Sequence, residues 1–252
     1  MKIGFCAKLD RLKEVEEAGF AYIEPSVTSV YEMSEESFES ARKNLEQSSI
    51  SASSFNVLFP GKSLYTWDKT DLRAYLHQAF SRVTALGGKK VVFGSGKARM
   101  RPDDLPYGEA FRQLAEITRL IGEEAAPFGI TITVEPLNTA ETNMINSLAE
   151  GACLVAVVNH PCVKLLADYY HIAAEHERPG DLERLGGIAH AHIATANGRT
   201  IPLERDEGYL QLFAAMKHTG YQGNLSIEGK CEDLLRDGPA AIAMLTALWN
   251  EA

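Results

Sequence analysis

Glu135, Asp168, His192 and Glu228 are the residues of this 252-residue chain whose types and spacing can do chemistry. They lie 33, 24 and 36 residues apart, and each ends or nearly ends a short apolar run, in ITVE, LLAD, HAHI and LSIE. A charge beside apolar residues is costly to bury, so several at equivalent points call for a common counter-charge. A divalent cation supplies one. Three carboxylates and an imidazole form a hard donor set, which suits Mn2+, with Co2+ or Mg2+ as alternatives, better than a structural zinc. Open positions on such an ion would take two substrate oxygens, polarise a carbonyl and acidify the carbon beside it.

Each residue alone has a plainer explanation. Glu135 or Glu228 singly reads as a salt-bridge partner, Asp168 as a helix cap, and His192 as a hydrogen-bonded core histidine. His190 points to the same face by strand alternation; it supports His192 or exchanges roles with it. Four such candidates in successive units are harder to dismiss. Other residues have softer claims. His171 is either a substrate contact or a loop histidine. Arg199 is either a binder of a substrate oxygen or phosphate, or a solvated charge. Asn138 and Asn143 are turn residues or polar lining, and Trp67 with Phe59 forms a pocket wall or packs its own loop. Glu141 and Lys97 read as solvated. The GSG at 94–96 reads as backbone flexibility rather than a phosphate loop.

The elements that must position these residues alternate along the whole chain. Strand candidates are Lys2–Cys6, Ala21–Glu24, Ala52–Phe55, Lys90–Phe93, Thr131–Glu135, Val163–Asp168, Ile188–Ile193 and Asn224–Glu228. They are short apolar runs, as in strands buried on both faces. Between them run helical stripes: Leu72, Leu76, Ala79, Val83 and Leu86, then Phe111, Leu114, Ile117 and Ile121. Gly19, Gly87, Gly129 and Gly220 follow helical runs, where a C-cap needs positive φ. Eight strand–helix units in one domain, residues 1–252, predict an α/β fold of the (β/α)8 TIM-barrel type. The longest irregular stretches are 56–69, 94–106, 138–145, 169–180 and 194–208. All follow strands, which puts them on the face where barrel active sites lie. A doubly wound sheet would show a glycine fingerprint after its first strand, and FCAK has none.

Composition narrows the function classes. A net charge of −9 argues against a nucleic-acid or anionic-membrane binder. The four cysteines show no CxxC pair and read as free thiols in a reducing cytoplasm. No segment reads as a signal peptide or membrane span.

On these residues the chain resembles the xylose-isomerase-like barrel superfamily of sugar (phosphate) isomerases and epimerases. It is most similar there to ketose 3-epimerases of the tagatose/psicose type and to hydroxypyruvate isomerases. The segments that carry the resemblance are FNVLFPG, VVFGSGKAR, VEPLNTAETNMINS, LLADYYHIAAE, HAHIATANGR and GYQGNLSIEG. The resemblance implies that Glu135, Asp168, His192 and Glu228 bind the metal and that Glu135 and Glu228 double as the acid/base pair. It implies proton transfer through a cis-enediolate, with His171 and Arg199 contacting substrate, and a homo-oligomer, dimer or tetramer. ATANGRTIPLERDEG and KSLYTWDKT depart from the family pattern at the pocket mouth, so the sugar itself stays open. The rivals are an aldose–ketose isomerase, a dehydratase of a cyclic keto-polyol, and a non-catalytic sugar-binding barrel. An endonuclease-IV-like enzyme would need several zinc ions and more than seven histidines.

Overall fold

Short strands that are apolar on both faces can be satisfied only inside a closed layer of helices. The computed structural model, which describes residues 1–252, shows this arrangement. Its strands are β1 (Ile3–Cys6), β2 (Tyr22–Glu24), β3 (Ser54–Phe55), β4 (Lys90–Phe93), β5 (Thr131–Val134), β6 (Val163–Asp168), β7 (His190–Ile193) and β8 (Leu225–Ile227). All pairings are parallel, in the order β2-β1-β8-β7-β6-β5-β4-β3. Single bridges between Tyr22 and Ser51 and between Ser26 and Asn56 join β2 to the β3 segment, so the ring nearly closes. The fold is the expected (β/α)8 TIM barrel. One hydrophobic cluster runs unbroken from Ile3 to Leu248.

The helices obey the stripes. Leu72, Leu76, Ala79 and Val83 are buried on the helix Lys69–Ala85, with Leu86 just beyond it. Asp68 starts that helix by accepting hydrogen bonds from the Thr70 and Asp71 N–H groups at 2.8 and 3.2 Å. The four expected C-cap glycines have φ between +65° and +88°. Some expectations need correction: the strand expected at Ala52–Phe55 begins at Ser54, and the stretch 94–106 holds a helical turn, Gly96–Arg99. The stretch 169–180 is not irregular throughout: a helix, Tyr169–Ala174, begins directly after β6 because Asp168 caps it. The strand expected at Ile188–Ile193 starts only at His190, after two positive-φ glycines, Gly186 and Gly187. No helix is long and apolar enough to cross a membrane.

Candidate metal centre

The C-terminal ends of β5 to β8 deliver the four expected residues to one point. β6 pairs with β7 so that Asp168 stands beside His192, and β7 pairs with β8 so that Ile193 stands beside Ile227. Glu135 and Glu228 each follow the last residue of a strand. One donor atom from each of Glu135, Asp168, His192 and Glu228 lies within 4.8 Å of all the others.

Asp168 shows how local structure aims a ligand. Its Oδ1 accepts the Tyr170 N–H at 2.9 Å as a helix cap, which fixes the carboxylate plane. The other oxygen, Oδ2, is buried and has no hydrogen-bond partner. The capping and ligand explanations of Asp168 are therefore compatible, one for each oxygen.

His192 is oriented from behind. Its Nε2 hydrogen-bonds Oε1 of Glu24 at 2.8 Å, while Nδ1 faces Glu135 Oε1 at 3.2 Å and Glu228 Oε2 at 3.3 Å. A proton on Nε2 donated to Glu24 leaves the Nδ1 lone pair turned toward the three carboxylates. His190 does not face them. Its Nε2 bonds the second oxygen of Glu24 at 2.8 Å, and Ser226 donates to that same oxygen at 2.5 Å. Burial alone would push Glu24 up, but His192 and His190 hold it well below the usual carboxylate range. Sequence reasoning missed Glu24. The only signal was an acid ending the β2 run, and its partners lie in β7 and β8.

Gly94 makes room for Glu135. A Cβ at Gly94 would stand 1.7 Å from Glu135 Oε2, so the first glycine of GSG is required by close approach, and flexibility is the wrong explanation. Arg99, wholly buried, donates to the Phe93 carbonyl at 3.0 Å and the Glu135 carbonyl at 2.6 Å, tying the ends of β4 and β5 together.

His171 sits beside the cluster. Its Nδ1 accepts the Asn138 backbone N–H at 3.0 Å, so Nε2 carries the proton; it points toward Asp168 Oδ2 at 3.6 Å without bonding it. Burial, with Arg199 adding to it, pushes His171 down to about 3, which keeps the ring neutral. Asn138 is buried and directs its N–H groups to His171 and Glu141, which makes it a support for His171 rather than open lining. Arg199 adopts φ 51° and reaches Glu228 Oε2 at 2.6 Å, Asp168 Oδ2 at 3.7 Å and Glu141 Oε1 at 3.1 Å. Glu141 is thus not simply solvated: it anchors Arg199. Asn143 clamps the backbone of Arg101 from both sides of its amide, and Lys97 is exposed. Trp67 is not brought to the cluster. It packs against Phe59 and Tyr75 with Lys62 over its ring, and Phe59 in turn lines a cavity of about 350 Å³ beside Gly94.

The electrostatics fit a cation. Burial pushes Asp168 up to about 8, with Glu135 and Glu228 adding to it. Burial and Glu228 also raise Glu135, although His192 opposes them. Burial would raise Glu228 too, but His192 and Arg199 hold it down to about 2. Buried carboxylates such as Asp168 and Glu135, whose proton affinities rise through burial and, second to it, through their like-charged neighbours, are those a divalent ion would stabilise as anions. The unpartnered Asp168 oxygen and the inward Nδ1 complete the fit. Next to the cluster, a cavity of about 360 Å³ is lined by Cys6, Lys8, Ser26, Asn56, Arg199, Glu228 and Lys230, among others.

A parallel barrel with a buried carboxylate–histidine cluster at the strand C-termini defines a class of small-molecule, metal-ready TIM barrels. The chain belongs to the xylose isomerase-like TIM barrel family, whose model matches residues 12–248. It is 24% identical over 225 residues to the D-psicose 3-epimerase of Agrobacterium fabrum, covering 86% of this chain and 77% of that one. It is 25% identical over 164 residues to the 3-dehydro-D-guloside 4-epimerase of Escherichia coli, covering 62% of each, which is under two thirds of that relative's length. A crystal structure of D-psicose 3-epimerase determined with D-fructose superposes with a TM-score of 0.86 at 20% identity, over 99% of both chains.

Proposed function

We propose that this chain is a metal-dependent carbohydrate epimerase that inverts the carbon next to a ketose carbonyl, with Glu135 and Glu228 as the proton-transfer pair. The supporting observation is the geometry of the two glutamates. They reach one buried point from β5 and β8, on strands separated by β6 and β7, and both face His192 Nδ1. Two carboxylates on different sides of one substrate carbon can remove a proton from one face and return one to the other. The names of relatives point the same way: D-psicose 3-epimerase, L-ribulose 3-epimerase and 3-dehydro-D-guloside 4-epimerase.

Glu135, Asp168, His192 and Glu228 would hold the ion, Mn2+ being the best match to the donor set. When bound, it supplies Lewis-acid polarisation of the carbonyl and an adjacent hydroxyl. The chain's own residues do the rest. Glu228 accepts hydrogen bonds from Asn56 at 3.0 Å and Arg199 at 2.6 Å, so its carboxylate is pinned at the cavity edge. Glu135 is held from behind by the Arg99 bond to its own carbonyl. His171 offers a neutral N–H to a substrate hydroxyl, and Arg199, anchored by Glu141, lines the cavity.

The test is proton exchange. Mn2+-loaded protein is incubated with a panel of ketopentoses and ketohexoses in D2O, and deuterium is located by NMR. The expected result is deuterium at C3 of at least one ketose together with its C3 epimer. Exchange at C1 with aldose formation would replace epimerase by isomerase, and loss of water by dehydratase. No exchange with any sugar, neutral or anionic, would remove the proposal. Glu228→Gln should lower the exchange rate by roughly 10²–10⁴-fold with the circular dichroism spectrum intact.

A further inference from the structure

The chain is strongly acidic, with net charge −9, yet three cations line the cavity beside the metal cluster: Lys8, Arg199 and Lys230. Arg199 is engaged with Glu228, Asp168 and Glu141. The two lysines are not. Both are exposed at the cavity wall and neither makes an ion pair.

The backbone brings them together. β1 pairs with β8 with Phe5 beside Ile227, and Lys8 and Lys230 each leave their strand three residues further on. Lys230 is also fixed relative to Arg199. Its N–H donates to the Arg199 carbonyl at 2.8 Å, its carbonyl accepts from Ile201 at 2.9 Å, and Thr200 bridges to it. Gly229 permits this approach, since a Cβ there would lie 2.6 Å from the Thr200 carbonyl carbon. Like charges leaving neighbouring strands at one level repel. Neither lysine has an ion-pair partner in the protein, and an anionic group on a ligand in the cavity they share would supply one.

We propose that the substrate carries a negative charge, a phosphate or a carboxylate, at the end remote from the reacting carbon, and that Lys8 and Lys230 bind it. This rests on the epimerase reading for what happens at the other end of the cavity. Lysine suits the task as a mobile point charge at a solvent-facing mouth. Ser26 and Asn56 line the same cavity, as neutral groups that can meet sugar hydroxyls.

The experiment has two readouts on wild type and on K8A/K230A, both loaded with Mn2+. Isothermal titration measures the affinities of D-fructose, D-fructose 6-phosphate and D-fructuronate, whose phosphate or carboxylate lies at C6, remote from the reacting carbon. Exchange in D2O measures kcat/KM for the same probes. Expected is a preference of at least about tenfold for one anionic probe over D-fructose, lost in the double variant. Which probe is preferred separates phosphate from carboxylate. Equal affinities for all three in wild type, or a preference that survives K8A/K230A, would overturn the proposal. Lysine-dependent anion binding without exchange of any probe would instead leave the anion site standing and remove the epimerase reading.

Discussion

Asp168, His192 and Gly94 show how single residues are held in place for one purpose. One Asp168 oxygen caps a helix and frees the other; Glu24 binds the far nitrogen of His192 and frees the near one; Gly94 gives up a side chain so that Glu135 can approach. Glu24→Gln should leave the barrel folded yet weaken Mn2+ affinity by about 10- to 100-fold in titration calorimetry, because the amide can offer its hydrogen to His192 and turn the ring. Unchanged affinity would show that Glu24 only fills the core. Gly94→Ala forces the Glu135 carboxylate away, and a displacement of this order lowers kcat by about 10²-fold while KM changes little. Near-normal turnover would mean that Glu135 tolerates another position. These residues differ in how visible they were. Asp168 and Glu228 stand out because a charge ends an apolar run. Glu24 ends such a run too, but its importance lies in partners 166 and 168 positions away. Glu141 looked like an ordinary surface acid until Arg199 reached it from another loop.

At the level of elements, the positions of strands and helices were largely legible, since burial on both faces and one-sided stripes leave different periodicities. What was not legible was how strand ends are braced. Arg99 lies in a short helical turn, Gly96–Arg99, that sequence reasoning placed inside an irregular loop. Its buried guanidinium satisfies the last carbonyl of β4 and the carbonyl of Glu135, across two strands. Arg99→Met should lower stability by about 2–4 kcal/mol in urea unfolding, since the Glu135 carbonyl loses its donor and the Phe93 carbonyl keeps only the Glu135 N–H at 3.3 Å. Turnover should fall more than the unfolded fraction explains, because Glu135 loses its brace. A variant as stable as wild type would show that water replaces the guanidinium without cost.

Over the whole molecule, the barrel converts strand order into proximity. Residues 33, 24 and 36 positions apart meet because β5, β6, β7 and β8 are neighbours in the ring. The same closure concentrates like charge, and a cation that binds only the folded ring must stabilise it. Mn2+ at 100 times its dissociation constant adds about 2.7 kcal/mol, which for a chain of this size raises Tm by about 5–10 °C. Chelation should reverse that shift, and a Tm indifferent to both treatments would argue against a folded-state site. The most direct measurement is anomalous diffraction from crystals grown with Mn2+. One strong peak is expected, within bonding distance of Asp168 Oδ2, His192 Nδ1 and a carboxylate oxygen from each of Glu135 and Glu228. A peak elsewhere, or none at saturating Mn2+, would contradict the metal centre and with it the proposed chemistry.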